Sequence, residues 1–488
     1  MPVERVDLVV FLAYLGLVVT LGCWVGRGAK DLSSYLLGDR DLPWWAILGS
    51  IVATETSTVT FLSVPGIAFA EDGNMTFLQL TFGYIIGRVL VSLLLLPKYF
   101  QGSIFSAYEV LEKEYGVATK RVAAAIFLVA RNSGDALRLF LTAVVLEAMF
   151  DLSIGWSIAL IGSLTIGYTL FGGMKAVVWN DCLQLLVYML GGGLIVFVIA
   201  GRLSEGFDSV IEFGAKTGKF QLLDLEWDLS NPFTLWAGLI GGVFLSLGTH
   251  GVDQMLVQRY LAARSRRHAS SALIASGIVI CIQFAFFLFL GVALAAYYHQ
   301  PEFTTDGQSE LAADQVLARF IVEDLPGGMG LIGFILAGVF AAAMSTLSSS
   351  LNSSATIVIN DFLKRDRTSQ EQMLRSSRMW TVAFGLLQMF IAYAASGVTR
   401  SVVSDVLAIA GMTVGLLLGL FALTRICPGC RQGSAIFGIV VAATTLLAVK
   451  FVLSNYEITI AWPWFALIGS SSTVLVASLT HWCLPQQR

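Results

Sequence analysis

Two stretches place an unusual density of oxygen inside otherwise apolar sequence. Ala53-Thr54-Glu55-Thr56-Ser57-Thr58-Val59-Thr60 carries six polar residues in eight, with Pro65 and Gly66 close behind. Ser345-Thr346-Leu347-Ser348-Ser349-Ser350-Leu351-Asn352-Ser353-Ser354 follows Ala341-Ala342-Ala343-Met344. Ser345, Ser348, Ser349 and Asn352 stand at i, i+3, i+4 and i+7, one face of a helix. Hydroxyls and freed carbonyls are hard ligands, and several of them around one point suit a small alkali cation. Two plainer readings stand beside this one. The hydroxyls of 53–60 can bond back to their own helix carbonyls, and the small residues of 341–354 can serve close helix packing.

Charged groups in the same apolar sequence are the next candidates for chemistry. Each costs roughly 2.5–3.5 kcal/mol on membrane-insertion scales, so each marks function by default. Glu55, Arg88, Arg131, Asp135, Arg138 and Asp181 qualify. Asp135 and Arg138, three apart on a helix, can neutralise each other. Arg88 can bond carbonyls. Asp181, after Trp179-Asn180, reads either as an interfacial cap or as an ion ligand.

The elements that must position these groups are membrane helices. The chain has 488 residues, 56% hydrophobic and 13% charged, where a soluble domain carries about 25% charge. Spans of about 20 apolar residues fall at thirteen places: 6–26, 44–70, 76–97, 121–147, 154–172, 177–200, 232–250, 270–297, 327–358, 379–396, 402–424, 433–453 and 462–483. The first reads as a span and not as a cleaved signal, because no small-residue cleavage site follows it. Basic residues alternate between loops: 20 of the 30 Lys and Arg lie in the set that begins with 27–43, and seven lie in the other. The positive-inside rule then puts the N-terminus outside and the C-terminus in the cytoplasm, in a plasma or inner membrane.

Hydroxyl-rich interruptions at mid-membrane, with Pro and Gly nearby, are tolerated only where unwound backbone lines a cavity, as at a transporter's binding site. The same composition excludes other classes. A formal net charge of −3 and the lack of a basic tail point to no nucleic acid. No nucleophile triad, metal-ligand cluster or phosphate loop appears, so an enzyme is not expected. Cys427-Pro-Gly-Cys430 is a lone CxxC without the second ligand pair that a metal site requires. The sequence stops at Arg488, just after the last span, so a fused signalling module is not expected either.

Several motifs together are specific. They are Gly173-Met174-Lys175-Ala176-Val177-Val178-Trp179-Asn180-Asp181-Cys182-Leu183-Gln184, the run 341–353, Asp253-Gln254 with Val257-Gln258-Arg259, Ser106-Ala107-Tyr108-Glu109, and Gly415-Leu416-Leu417-Leu418-Gly419-Leu420-Phe421. On these the chain resembles the sodium:solute symporters, which include bacterial sialic acid, proline and pantothenate carriers and animal glucose and iodide cotransporters. The resemblance implies an all-α, leucine-transporter-like fold of two inverted five-helix repeats. These would fall at 44–200 and 232–424, with 6–26 and 433–483 peripheral, in one transport domain over 1–488. It implies a main sodium site at Ala53, Thr56, Ala342, Ser345 and Thr346. It also implies a second site at Asp181, Ser345, Ser348 and Ser349, which some members possess. Threonine at 346 in place of serine keeps the hydroxyl. Asn180 stands where many members have threonine, and 414–416 lacks a proline common in the tenth core helix.

The solute is expected beside the break at 53–60. Glu55, Ser57, Thr60, Gln79 and Thr81 are candidate polar contacts, Phe77 and Phe244 candidate flanks, and Arg131 or Arg138 a candidate anchor. An arginine suits a carboxylate through a paired hydrogen bond, whereas Glu55 suits an amine or sugar hydroxyls. The two signals conflict, unless these groups pair with each other. The expected activity is symport of sodium with a sugar, sugar acid or organic anion by alternating access, in a monomer. A proton-coupled carrier using Glu55 or Asp181, and a sodium-coupled amino acid carrier, are the alternatives.

Overall fold

The computed structural model describes residues 4–27, 31–102, 104–150, 152–300, 313–363, 369–397 and 400–483. Lys30, Lys364, Arg365, Arg367 and Arg488, which belong to the set of 20 basic residues counted above, lie outside the described residues, as do residues 301–312. Helix underlies all thirteen expected intervals. Among the described residues the only sheet-like pairing is a single bridge, Leu42 with Ala263.

Fourteen helices carry the argument: α1 (Arg5–Gly26), α2 (Trp44–Glu55), α3 (Thr58–Phe69), α4 (Gln79–Leu94), α5 (Val117–Phe150), α6 (Ile154–Arg202), α7 (Gly242–Gly251), α8 (Gln254–Leu261), α9 (Arg266–Tyr298), α10 (Leu331–Ile357), α11 (Gln370–Ala395), α12 (Arg400–Ile426), α13 (Gln432–Leu447) and α14 (Trp464–Cys483). Among the described residues, eight helices are long and apolar enough to cross a membrane, and nine if α2 and α3 form one bent span. Two features account for much of the gap between that number and thirteen. α6 is a single run of 49 residues, far longer than a hydrocarbon core of about 30 Å needs. It is bent at Gly173, whose φ of 54° is open to glycine and whose added Cβ would meet the Tyr35 carbonyl oxygen at 2.3 Å. α5 is long, but Arg131, Asp135 and Arg138 lower its apolarity.

The span at 44–70 is broken as its sequence suggests. α2 stops at Glu55, Thr56 takes an extended backbone (φ −86°, ψ 94°), and Ser57 caps α3 by accepting from the Thr60 N–H at 3.4 Å. The two halves are bent by 64°. Hydroxyl side chains compete for helix hydrogen bonds and favour caps, so a run of them is a natural place to stop one helix and start another. The second half, α3, packs close to α9: a Cβ on Gly291 would lie 2.0 Å from the Pro65 carbonyl oxygen. It is also tied to α10 and α5, because Thr58 Oγ1 donates to the Val339 carbonyl (3.4 Å) and accepts from Thr142 Oγ1 (3.0 Å). The first half, α2, packs on α6, α9 and α10. α10 is buried almost throughout, so its hydroxyl face meets protein and not lipid.

Candidate functional site

The break divides its surroundings into two compartments. On one side is a cavity of ≈ 450 Å³, within the range of about 300–1,000 Å³ typical of small-molecule sites. Glu55, Ser57, Thr60, Phe77, Arg131 and Arg138 all line it. Phe77 is held edge-on by Phe233 and Phe284, with ring centres 5.4 and 5.1 Å away. Three expected contacts are not brought there. Gln79 is buried, donating to the Phe233 carbonyl at 2.6 Å and accepting from the Asp224 N–H at 3.2 Å, so it fastens the segment 224–233. Thr81 bonds back to the Leu78 carbonyl at 2.7 Å. Phe244 is not among the lining residues and packs against an apolar cluster.

The charges around the cavity pair only in part as the sequence suggests. Glu55 accepts from Arg88 Nη2 with both oxygens, each at 2.7 Å, and contacts His250 Nε2 at 2.9 Å. His250 Nδ1 lies 2.8 Å from the Tyr260 hydroxyl. A neutral ring that donates to Glu55 and accepts from Tyr260 satisfies both contacts. Arg88, expected against carbonyls, instead spends its other terminal nitrogen on Ser276 Oγ at 2.5 Å. Glu55 is therefore not paired with Arg131 or Arg138. Arg131 bonds Asp253 and approaches Asp135 at 3.7 Å. Arg138 bonds Asp135, as their spacing allows, with its side chain 32% exposed.

On the other side of the break lies a dry cage of oxygens between α2, α6 and α10. Thr346 Oγ1 bridges the carbonyls of Thr54 (3.3 Å) and Ala342 (3.4 Å), joining the end of α2 to α10. Thr346 also borders the cavity, so the two compartments share a wall. Ala53, Thr56, Ala342 and Ser345 are fully buried at the same junction. Thr56 Oγ1 bonds back to the Val52 carbonyl at 3.0 Å and accepts from Gln283 Nε2. Deeper in, Asp181 accepts from Ser345 Oγ at 2.6 Å and from Ser50 Oγ. Ser348 and Ser349 bond to the Ser345 carbonyl at 3.1 and 2.7 Å. Asp181 is completely buried, which removes the reading of it as an interfacial cap.

These oxygens suit a hard, small cation. They include hydroxyls and carbonyls from two helices, one carboxylate and no sulfur or imidazole. A sequence model of the Sodium:solute symporter family matches residues 35–441, most of the chain. The chain belongs to that family. As a sodium:solute symporter it couples sodium to the passage of a small organic solute across a membrane, and it is a multi-pass helical transporter. The sodium-dependent multivitamin transporter of rabbit, Oryctolagus cuniculus, is 30% identical over 441 residues, 89% of this chain and 68% of that one. The sodium/sialic acid symporter of Aliivibrio fischeri is 30% identical over 478 residues, 96% of this chain and 91% of that one. A solved structure of a sodium-coupled sialic acid symporter, substrate-bound and outward-open, superposes with a TM-score of 0.88 at 27% identity, over 99% of this chain and 98% of the other. The all-α symporter fold expected from the motifs is thus the fold found.

Sequence reasoning missed several members of both compartments. The largest omission is Arg259. Counted as a loop charge, it is in fact buried on α8 and reaches Asp181 at 3.0 Å. Its only signal was its place in the motif Val257-Gln258-Arg259. His250, Ser276, Ser50 and Gln283 gave no local signal, because each acts on a partner far away in the chain, and Tyr260 enters only through His250, ten residues before it. Cys427 and Cys430 are free and buried near α14, where Cys430 contacts the Ala477 carbonyl at 3.7 Å.

Proposed function

We propose that this symporter carries a small carboxylate-bearing solute, a sugar acid or organic anion, with Arg138 as the anchor. One observation carries the reading. Glu55 is neutralised within the wall by Arg88 and bonded there by His250, while Arg138, 32% exposed, lines the cavity with Ser57 and Thr60. A guanidinium with unused donors suits a carboxylate. A carboxylate already held by two partners is poorly placed to take an ammonium, which weighs against an amino acid carrier anchored at Glu55. The relatives support the same class, since one of them and the matching solved structure are named for sialic acid.

In this reading the main sodium ion is held by Ala53, Thr56, Ala342, Ser345 and Thr346, and a second by Asp181, Ser345, Ser348 and Ser349. The N-terminus lies outside and the C-terminus in the cytoplasm of a plasma or inner membrane. The transporting unit is one chain, with repeats at 44–200 and 232–424 that rock about the site. Sodium ties α2 and α3 to α10, the solute settles next to Thr346, and the loaded core turns inward. Each charge crossing 100 mV contributes about 2.3 kcal/mol, which concentrates a neutral solute roughly fifty-fold. A carboxylate brings its own negative charge, so it needs the second sodium to recover that gain.

The test is a thermal-shift screen of the purified chain with carboxylates, neutral sugars and amines, in sodium and in potassium. Stabilisation by carboxylates only when sodium is present is the expected result. Stabilisation by amines or neutral sugars, with none by carboxylates, would overturn the solute class. A response that follows pH and ignores sodium would favour proton coupling.

A further inference from the structure

Buried carboxylates in a membrane protein need a counter-charge. At Asp181 that counter-charge is the guanidinium of Arg259, and the manner of its binding is informative. One terminal nitrogen, Nη2, contacts Asp181 Oδ2 at 3.0 Å and also the hydroxyls of Thr54 and Ser349. Such a nitrogen has two hydrogens, yet three oxygens surround it. Nε donates to Ser50 Oγ at 2.7 Å, and Nη1 turns back to the Met255 carbonyl at 2.6 Å. Arg259 and Asp181 are 1% and 0% exposed. The terminal nitrogen therefore sits within a ring of oxygens that a point charge, free of directional bonds, would fit equally well.

Asp181 cannot sensibly hold two cations. Arg259 together with a sodium ion would leave one uncompensated positive charge in a dry site, and both would claim the same lone pairs of Asp181 and Ser349. The arginine also stands on a helix that borders the cavity. α8 is only eight residues long. Its neighbours Met255 and Leu256 line the solute cavity, and its capping residue Asp253 bonds Arg131 there. Whatever holds Arg259 in the cage thus also holds one wall of the cavity.

We infer that Arg259 is a tethered cation occupying the second cation site, and that sodium at Asp181, Ser345 and Ser349 and the Arg259 guanidinium exclude each other. Binding of the second ion expels Arg259 and frees α8 from α2, so occupancy of the deep cage is transmitted to the cavity wall. This rests on the sodium-coupled reading above. It goes beyond that reading in making the second ion compete with a residue of the chain itself.

Two experiments on the full chain test it. The first is hydrogen exchange of the wild-type protein in sodium chloride against potassium chloride. Sodium should slow exchange around the break at 53–60 and, at higher concentration, speed exchange in 254–261. Protection at the break with no faster exchange at 254–261 overturns the inference and leaves the symporter reading standing. No sodium response in either segment counts against both. The second uses Arg259→Gln and the charge-balanced pair Asp181→Asn with Arg259→Gln. If the cage is open to sodium about a tenth of the time, removing the tethered cation lowers the sodium concentration for half-maximal thermal stabilisation of the deep site about tenfold. The paired variant should lose that gain. An Arg259→Gln protein with wild-type sodium dependence overturns the inference, as does a gain that persists in the pair. Should Arg259→Gln fail to fold at low sodium, rescue by sodium and not by potassium is the expected result, and equal rescue by both overturns the idea.

Discussion

The broken helix has two faces that solve the same electrostatic problem in different ways. Toward α6 and α10 it meets neutral oxygens and a single ion pair, Asp181 with Arg259, both fully buried. Toward the cavity it meets a chain of paired charges that remain partly wet: Glu55 at 19%, Arg131 at 17% and Arg138 at 32% exposure. A bare ion needs oxygens at short range and no competing water, so the dry face suits sodium. An organic solute needs shape, apolar walls and one or two oriented polar groups, so the wet face suits it. Thr346 belongs to both and is where the two occupants would sense each other.

The sharpest way to break this comparison is to unbalance the wet face. Arg88 is fully buried against Glu55. Removing one partner of a buried pair costs about 3–5 kcal/mol, because the other is left uncompensated. Arg88→Met should therefore lower the melting temperature markedly and reduce folded yield, and adding Glu55→Gln should restore much of the loss. An Arg88→Met protein that melts like the wild type would mean that solvent, not Arg88, balances Glu55.

On the dry face, Ser345→Ala with Thr346→Ala removes two hydroxyls from the proposed ion site. A hydrogen bond to a charged group is worth about 1.5–3 kcal/mol, and the two losses together imply about a hundredfold or more in sodium. Uptake into proteoliposomes should lose its dependence on millimolar sodium while the protein still inserts. Unchanged sodium dependence would refute the site. Returning to the wet face, Arg138→Lys keeps the charge but loses the planar fork. It should raise KM for a carboxylated solute about tenfold and leave the sodium midpoint where it was. A shift in the sodium midpoint instead would erase the division between the faces.

How much of this the sequence reveals follows the same division. The break was legible because its cause is local: six polar residues in eight, with Ser57 able to cap α3. The hydroxyl face of α10 was legible from helical period alone. The cavity's own composition was legible for residues on the broken helix and on α5, whose charges stand out against apolar surroundings. What failed was pairing. Glu55 meets His250 across 195 residues, and Asp181 meets Arg259 across 78. Nothing in the composition of either neighbourhood encodes those meetings. Arg259 was the hardest to read, because a short helix rich in Gln, Arg and Tyr between two spans has the composition of a loop. Gln79 misled for the opposite reason: a polar residue at the right depth turned away to fasten residues 224–233.

The smallest effect sharpens the comparison along the helix instead of across it. The first half, α2, is held by groups that the ions are proposed to contest, whereas the second half, α3, ends in a clamp. The Lys219 ammonium lies within hydrogen-bond distance of the carbonyls of Ala68 (3.0 Å), Phe69 (3.3 Å), Ala70 (2.7 Å) and Gly73 (3.3 Å), where α3 finishes, and shares its three hydrogens among them. A cation on the last carbonyls of a helix satisfies orphan acceptors and opposes the negative end of the dipole, worth about 0.3–1 kcal/mol and up to about 2 in partly buried sites. Lys219→Met keeps most of the packing and removes the charge. The expected outcome is a drop of one or two degrees in melting temperature, equal in sodium and in potassium. That equality is the informative part. If the loss vanished when sodium was added, the lysine clamp would be working against the same equilibrium as the ion cage. The two halves of the broken helix would then move as one piece.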